Sequence, residues 1–285
     1  MERQIYVNGA FVAEADAKIP VMDRGFLFGD GIYEVTAVLE GHLIDNDLHL
    51  ARFERSLGEI GIPMPLPLDE IRKVQRELAK RNAMTDGTIY LQVTRGAEER
   101  NFVASEGLKP NFIAFTQPKK LLGTAAQENG IKVAVAADPR WERRDVKTVM
   151  LLGQVLAKKA AKAAGFDDVW LFQDGYITEG ASSTAFIVTH EGTIRTRPNS
   201  HAILPGCTRR AVLALVEREG LALDERAFTV AEAQGAAEAF LTSASSLVTP
   251  VVRIGDHTVD DGRPGPVTRK LQEIYVEMAR TCETL

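Results

Sequence analysis

The chain has 285 residues, with 34 basic and 39 acidic side chains and a formal charge of −5. At about 150 residues per domain this length predicts two domains, large enough to bury a core without a disulfide or metal staple. Apolar residues make up 45% and charged residues 26%, with 23 Gly and 12 Pro, which excludes collagen-like, disordered and disulfide-scaffold classes. The acidic balance argues against a nucleic-acid binder, although a local cationic pocket for one small anion is compatible with it. The opening, Met1 to Val12, has no apolar core or small-residue cleavage site, so no signal peptide is expected. No run approaches the ~18 apolar residues of a membrane helix, so no membrane association is expected. Cys207 and Cys282 form no metal or CxxC spacing. They fit two free thiols in a reducing cytoplasm, the expected location.

In chain order, Gln4–Phe11 is predicted as a hairpin turning at Asn8-Gly9, and Ile32–Leu39 as a strand turning at Glu40-Gly41. Asp47 can cap a helix carrying Leu50, Phe53, Leu57 and Ile60, and Asp69 can open a second with Ile71, Val74 and Leu78 on one face. Thr88–Arg95 and Phe112–Thr116 alternate as strands. Residues 118–130, with Pro118, Gly123 and a polar end, are expected to link an N-terminal α/β domain at 1–117 to a second domain at 131–285. Beyond the linker, strands are expected at Ile131–Ala137, Val169–Gln173, Ala185–Thr189, Thr193–Arg197, Glu238–Thr242 and Leu247–Ile254. Helices are expected over 148–164, Thr208–Glu219 and Pro264–Glu283. The class is mixed α and β, α+β or α/β.

The five histidines, His49 among them, show no metal-ligand spacing and read as surface or hydrogen-bonded structural side chains. No metal site is expected. Gly29-Asp30-Gly31 lacks the third glycine of a dinucleotide turn, and there is no phosphate loop or nucleophile elbow. Leu204-Pro205-Gly206-Cys207-Thr208 is a turn feeding a helix, so the N–H groups at Cys207 and Thr208 could hold a phosphate or simply begin a Thr-capped helix. Thr242-Ser243-Ala244-Ser245-Ser246 is either a second anion cradle or a polar turn. Glu179 could face a cationic ring nitrogen or solvent. Lys147 is not singled out by its local sequence, although Arg143 and Arg144 beside it could help lower its pKa, as an amine nucleophile requires.

Six segments in order nonetheless resemble the D-amino-acid transaminases of the branched-chain-type, fold type IV pyridoxal-phosphate enzymes. They are Asp23 to Val35, Gln92 to Gly96, Asp145-Val146-Lys147 with Leu151-Leu152-Gly153, Thr178-Glu179-Gly180, Leu204 to Arg209, and Thr242-Ser243. The resemblance covers nearly the whole chain. It implies a small N-terminal α/β domain, a C-terminal pseudo-barrel domain, pyridoxal phosphate (alternating with pyridoxamine phosphate) as cofactor, and a homodimer with shared sites. Lys147 would hold the cofactor as a Schiff base and act as general base. Glu179 would pair with the pyridine nitrogen. Arg52, Cys207, Thr208, Ser243 and the backbone of Ala244 would hold the phosphate, with Leu204 and Ser182 also at the cofactor. Tyr33 and Arg100 match a carboxylate trap whose third member is usually a histidine, and Phe102 stands in that place. Ala181 replaces a serine common beside the cofactor. The implied reaction passes an amino group from a D-amino acid of the D-alanine or D-glutamate type to a 2-oxo acid, by a ping-pong route. Alternatives of the same fold are an (R)-selective amine transaminase, a branched-chain L-amino-acid transaminase and an aminodeoxychorismate lyase. A non-catalytic pyridoxal-phosphate-binding protein is the alternative from another class.

Overall fold

In the computed structural model, which describes residues 2–285, the chain forms two units. The first holds the chain up to Lys119 together with Val146–Met150 and Ala279–Leu285, and the second holds Lys120–Asp145 and Leu151–Met278.

The first unit begins with β1 (Gln4–Val7) and β2 (Ala10–Ala13), joined by Asn8 and Gly9 at φ 48° and 102°. Both central residues have positive φ, as the primed hairpin turns require, and Asn-Gly supplies that conformation at low cost. Then follow α1 (Arg24–Phe28), β3 (Gly31–Leu39), β4 (His42–Leu43), α2 (Asn46–Glu59), α3 (Leu68–Arg81), β5 (Gly87–Thr94) and β6 (Asn111–Pro118). Asp23 caps α1 by accepting from the N–H groups of Gly25 and Phe26. These strands and the C-terminal Glu283–Thr284 form one seven-stranded sheet, in which β3, β5 and β6 pair antiparallel. Alternation puts Ile32, Ile89, Leu91, Val93, Phe112 and Ala114 on one face, packed with Leu50, Phe53 and Leu57 of α2 and Ile71, Val74 and Leu78 of α3. Each such large side chain contributes about 1.5–3 kcal/mol of burial. The opposite face carries Tyr33, Tyr90 and Phe115, which stack in sequence with centroids 5.5 and 4.7 Å apart.

The second unit contains α4 (Ala125–Asn129), β7 (Ile131–Ala137), α5 (Leu152–Ala163), β8 (Asp168–Gln173), β9 (Tyr176–Gly180), β10 (Thr184–Val188), β11 (Ile194–Thr196), α6 (Cys207–Arg218), β12 (Leu223–Glu225), α7 (Val230–Gln234), β13 (Glu238–Ser243), β14 (Leu247–Ile254), β15 (His257–Thr258) and most of α8 (Pro266–Ala279). Its sheet runs β12-β11-β10-β13-β14-β7-β8-β9, with β15 on β14. Strand β9 lies at one end of that order, yet it turns straight into β10 through Ala181–Ser183, and the Gly180 N–H donates to the Ser183 carbonyl at 2.8 Å. The sheet therefore curls back on itself, as a pseudo-barrel does, around Val133, Trp170, Ile177, Ile187, Phe228, Leu241 and Val251.

Several elements differ from expectation. The helix expected over 148–164 begins only at Leu152, because Thr148 pairs with Ile32 of β3 in a single antiparallel bridge. That pairing also explains why Val146–Met150 belongs to the first unit. The last helix ends at Ala279 because the chain then pairs with β4. The expected linker holds the end of β6 and α4, whose capping box joins Thr124 and Gln127. Strand β9 has no counterpart among the expected strands. Among the described residues no helix is long and apolar enough to cross a membrane, and both cysteines are free.

Candidate active site

In the first unit, β3 sends alternate residues to its two faces. Tyr33 points to the aromatic face, and the Nζ of Lys147 lies 4.2 Å from its ring centroid. The Tyr33 N–H donates to the Lys147 carbonyl at 2.9 Å, which fixes the lysine's backbone against the strand. The Lys147 ammonium has no carboxylate or hydrogen-bond partner among the described residues. An amine held beside an aromatic face and bound to no acid is available to react with a carbonyl compound.

Glu34 points the other way and is fully buried. Arg52 of α2 meets it bidentately, with Nε donating to Oε2 at 2.9 Å and Nη2 to Oε1 at 2.6 Å. His49, one turn earlier on α2, lies 2.9 Å from the same carboxylate. Burial pushes the Glu34 carboxyl up, but Arg52 and His49 outweigh it and hold it well below the usual carboxylate range. Arg52 is thus buried and paired, and does not lie on an exposed helix face.

Arg100 and Phe102 lie on the segment between β5 and β6, and Phe102 is 78% exposed. The Arg100 guanidinium stands over the rings of Phe28 and Phe102, at 5.2 and 5.4 Å, with no acid partner among the described residues. Arg95, the other arginine near that segment, is not available: Asp30 and the carbonyls of Ile60 and Gly61 take its guanidinium.

In the second unit, Glu179 is 3% exposed near the end of β9. Its Oε1 accepts from Arg140 Nη1 at 2.6 Å and from the Leu204 N–H at 3.1 Å, and no described residue bonds Oε2. Burial raises the Glu179 carboxyl, and Arg140 opposes that rise. Arg140 is in turn gripped by Asp138 at 2.7 and 2.9 Å, and Asp138 accepts from Thr178 at 2.7 Å.

Helix α6 begins at Cys207 after Gly206, which offers no side-chain cap. The N–H groups of Cys207 and Thr208 meet no acceptor among the described residues. Thr184 of β10 pairs with Thr242 of β13, and a Cβ on Gly206 would come 2.9 Å from the Thr184 hydroxyl. The start of α6 and the end of β13 therefore meet beside Thr184. There Thr242 Oγ1 is buried without a hydrogen-bond partner, and Ser183 Oγ near Gly180 is in the same state. Ser243 bonds Ser246 at 2.6 Å and Ser245 at 3.5 Å across the turn that holds Ala244. Ser182 is exposed in the β9–β10 turn.

The structure thus joins Tyr33 to Lys147 within one unit, and Glu179, Leu204 and the Cys207–Thr208 turn within the other. Sequence reasoning missed Glu34, Arg140 and Asp138, and read His49 only as a surface or hydrogen-bonded structural side chain. Glu34 carries a usable signal, since an acid between Ile32 and Thr36 on a buried strand face demands a cationic partner. Arg140 carries none, because only the fold brings it to Glu179.

The class IV amino-transferase family matches residues 31–254. The chain is 40% identical over 276 residues to the D-alanine aminotransferase of Staphylococcus haemolyticus, covering 95% of each chain. It is 38% identical over 283 residues to that of Bacillus licheniformis, covering 98% of this chain and 99% of the relative. Among solved structures it resembles the Escherichia coli branched-chain amino acid aminotransferase, with a TM-score of 0.91 at 25% identity over 98% of this chain and 95% of that one. The T.th. branched-chain amino acid aminotransferase with pyridoxamine 5'-phosphate gives 0.92 at 25% identity, over 98% and 94%. The chain belongs to the class IV aminotransferase family, and its architecture is that of the fold type IV enzymes.

Proposed function

We propose that the protein is a pyridoxal-phosphate-dependent D-amino-acid transaminase, moving an amino group from a donor of the D-alanine or D-glutamate type to a 2-oxo acid. The observation that carries this reading is Lys147, an amine on the Tyr33 ring with no acid partner, in a chain similar to D-alanine aminotransferases along almost its whole length. The branched-chain enzymes share the fold at lower identity.

The residues present fit the cofactor. Glu179 keeps one carboxylate oxygen unbonded, which suits a protonated ring nitrogen. The open N–H groups at Cys207 and Thr208 and the unpartnered Thr242 hydroxyl suit a phosphate. Ser243, Ala244, Ser182 and Leu204 would also lie at the cofactor, and they and Arg52 are assigned there by resemblance. When bound, the cofactor supplies an electron sink for the pair released at the substrate α-carbon. Lys147 would hold the cofactor at rest and, once released, carry the proton away from the α-carbon. Glu179 would keep the proton on the ring nitrogen, and Arg140, by opposing the burial that raises the Glu179 carboxyl, would favour its charged form. Tyr33 and Arg100 would orient the substrate carboxylate.

Phe102 favours a second reading, an (R)-selective amine transaminase, since a phenyl ring cannot donate a hydrogen bond to a carboxylate. The exposed apolar side chains Phe26, Phe102 and Val103, each 77–78% accessible, support a homodimer. The two free thiols suit a cytoplasmic location.

Borohydride reduction of the holoenzyme should fix the cofactor on the peptide bearing Lys147, detected by mass. Lys147→Ala should show no adduct and no transamination. An adduct on another lysine, or an active Lys147→Ala enzyme, would remove the reading.

A further inference from the structure

We infer that Arg24 is a positioning residue for substrate recognition, holding the segment that presents Arg100. The inference rests on the reading of Arg100 as a carboxylate ligand given above. Arg24 is 4% exposed at the start of α1, and all three guanidinium nitrogens donate hydrogen bonds. Nε donates to Asp30 at 2.9 Å, Nη1 to Glu98 at 3.1 Å and to the Asn101 carbonyl at 2.6 Å, and Nη2 to the Phe102 carbonyl at 3.0 Å. Two of these partners are the backbone carbonyls that immediately follow Arg100. A planar five-donor fork can meet two carboxylates and two carbonyls at once, and an ammonium cannot.

The surrounding bonds serve the same segment. The Arg24 N–H donates to the Gly96 carbonyl, and Asp23 bridges to Ala97. Glu98 accepts from the Ser105 N–H through both oxygens, closing the loop on itself. The Phe28 ring lies under both Arg24 and Arg100, at 4.9 and 5.2 Å. Charge accounting adds a reason. Arg24 is neutralised by Asp30 and Glu98, and Arg95 by Asp30, so Arg100 is the guanidinium of this region left without an acid among the described residues. With Phe102 in place of the trap's third member, the charged contact to the carboxylate depends on where this one guanidinium is held.

The test is a double-mutant cycle on the holoenzyme with D-alanine, using Arg24→Lys, Arg100→Lys and the pair, with hydrogen exchange of residues 98–105 as a readout independent of activity. Arg24→Lys should raise KM about tenfold, as expected for losing a charge-assisted bond, with kcat within about twofold. It should also speed exchange at residues 101–105. On the Arg100→Lys background its effect on KM should largely vanish, because it acts through Arg100. Glu98→Gln removes one leg of the fork and gives the same pattern more weakly, so it serves if Arg24→Lys does not fold. Additive KM effects, or unchanged exchange in both variants, would overturn the assignment. A wild-type enzyme that does not turn over D-alanine would instead overturn the functional reading beneath it.

Discussion

The Lys147 ammonium sits 4.2 Å above the Tyr33 ring, and the same tyrosine's N–H bonds the lysine's carbonyl. One residue of β3 thus sets both the backbone and the amine of Lys147. Tyr33→Phe keeps the ring and should keep cofactor loading near wild type, losing only what the hydroxyl gives to the substrate. Tyr33→Ala removes a contact worth about 0.5–2 kcal/mol and should slow loading several-fold. Equal loading rates for the two variants, followed by absorbance, would contradict this role.

Glu34 stabilises the first unit in proportion to its charge. Its folded carboxyl is held below the usual range, so its contribution is complete above the unfolded value near 4.3 and falls as the pH drops below it. Glu34→Gln strands the Arg52 and His49 side chains without a buried anion and should cost about 3–5 kcal/mol at neutral pH. The difference from wild type should shrink below about pH 4. Denaturant unfolding at several pH values measures both, and a loss independent of pH would contradict the account.

Much of this is legible in the sequence, and the failures have physical causes. Asn8-Gly9 and Glu40-Gly41 announce their turns because the chain needs positive φ there, and all four residues have it. The period-2 run at β5 is a strand whose Ile89, Leu91 and Val93 are buried while Tyr90 and Gln92 between them are only partly so. Helix α2 starts one residue before Asp47, which pairs with Arg72 across to α3 instead of capping. The start of α5 escapes sequence reasoning because Val146–Met150, with Val146, Val149 and Met150 around Lys147 and Thr148, fits helix or strand equally, and only pairing with β3 decides. The candidate site residues are assigned by resemblance. Their buried partners, Glu34 for Arg52 and Arg140 for Glu179, are set by tertiary packing that spacing does not encode.

If Glu179 is the ring-nitrogen partner proposed above, Arg140 should set the acid limit of activity. Burial raises the Glu179 carboxyl and Arg140 restrains that rise. Arg140→Gln should therefore raise it further, protonate Glu179 nearer neutrality and move the acid limb of kcat/KM to higher pH. Arg144, whose Nε is 3.3 Å from Asp138, remains to pair that carboxylate. An unmoved limb would contradict the role of Glu179 as a working carboxylate.

Phe102→His restores a hydrogen-bond donor beside Arg100. If the donor carboxylate is bound there, KM for D-alanine should fall several-fold, with about 1.5–3 kcal/mol available from a bond to a charged group. A KM that is unchanged, alongside faster turnover of (R)-1-phenylethylamine by wild type than of D-alanine, would favour the amine transaminase.

The central claim is tested most directly by a half-reaction screen of the holoenzyme, following loss of the bound cofactor's visible absorbance and release of the oxo acid. Without an acceptor, D-alanine and D-glutamate should bleach the absorbance and yield pyruvate and 2-oxoglutarate, and a second oxo acid should restore it. Bleaching by L-leucine with none by D-alanine would contradict the account.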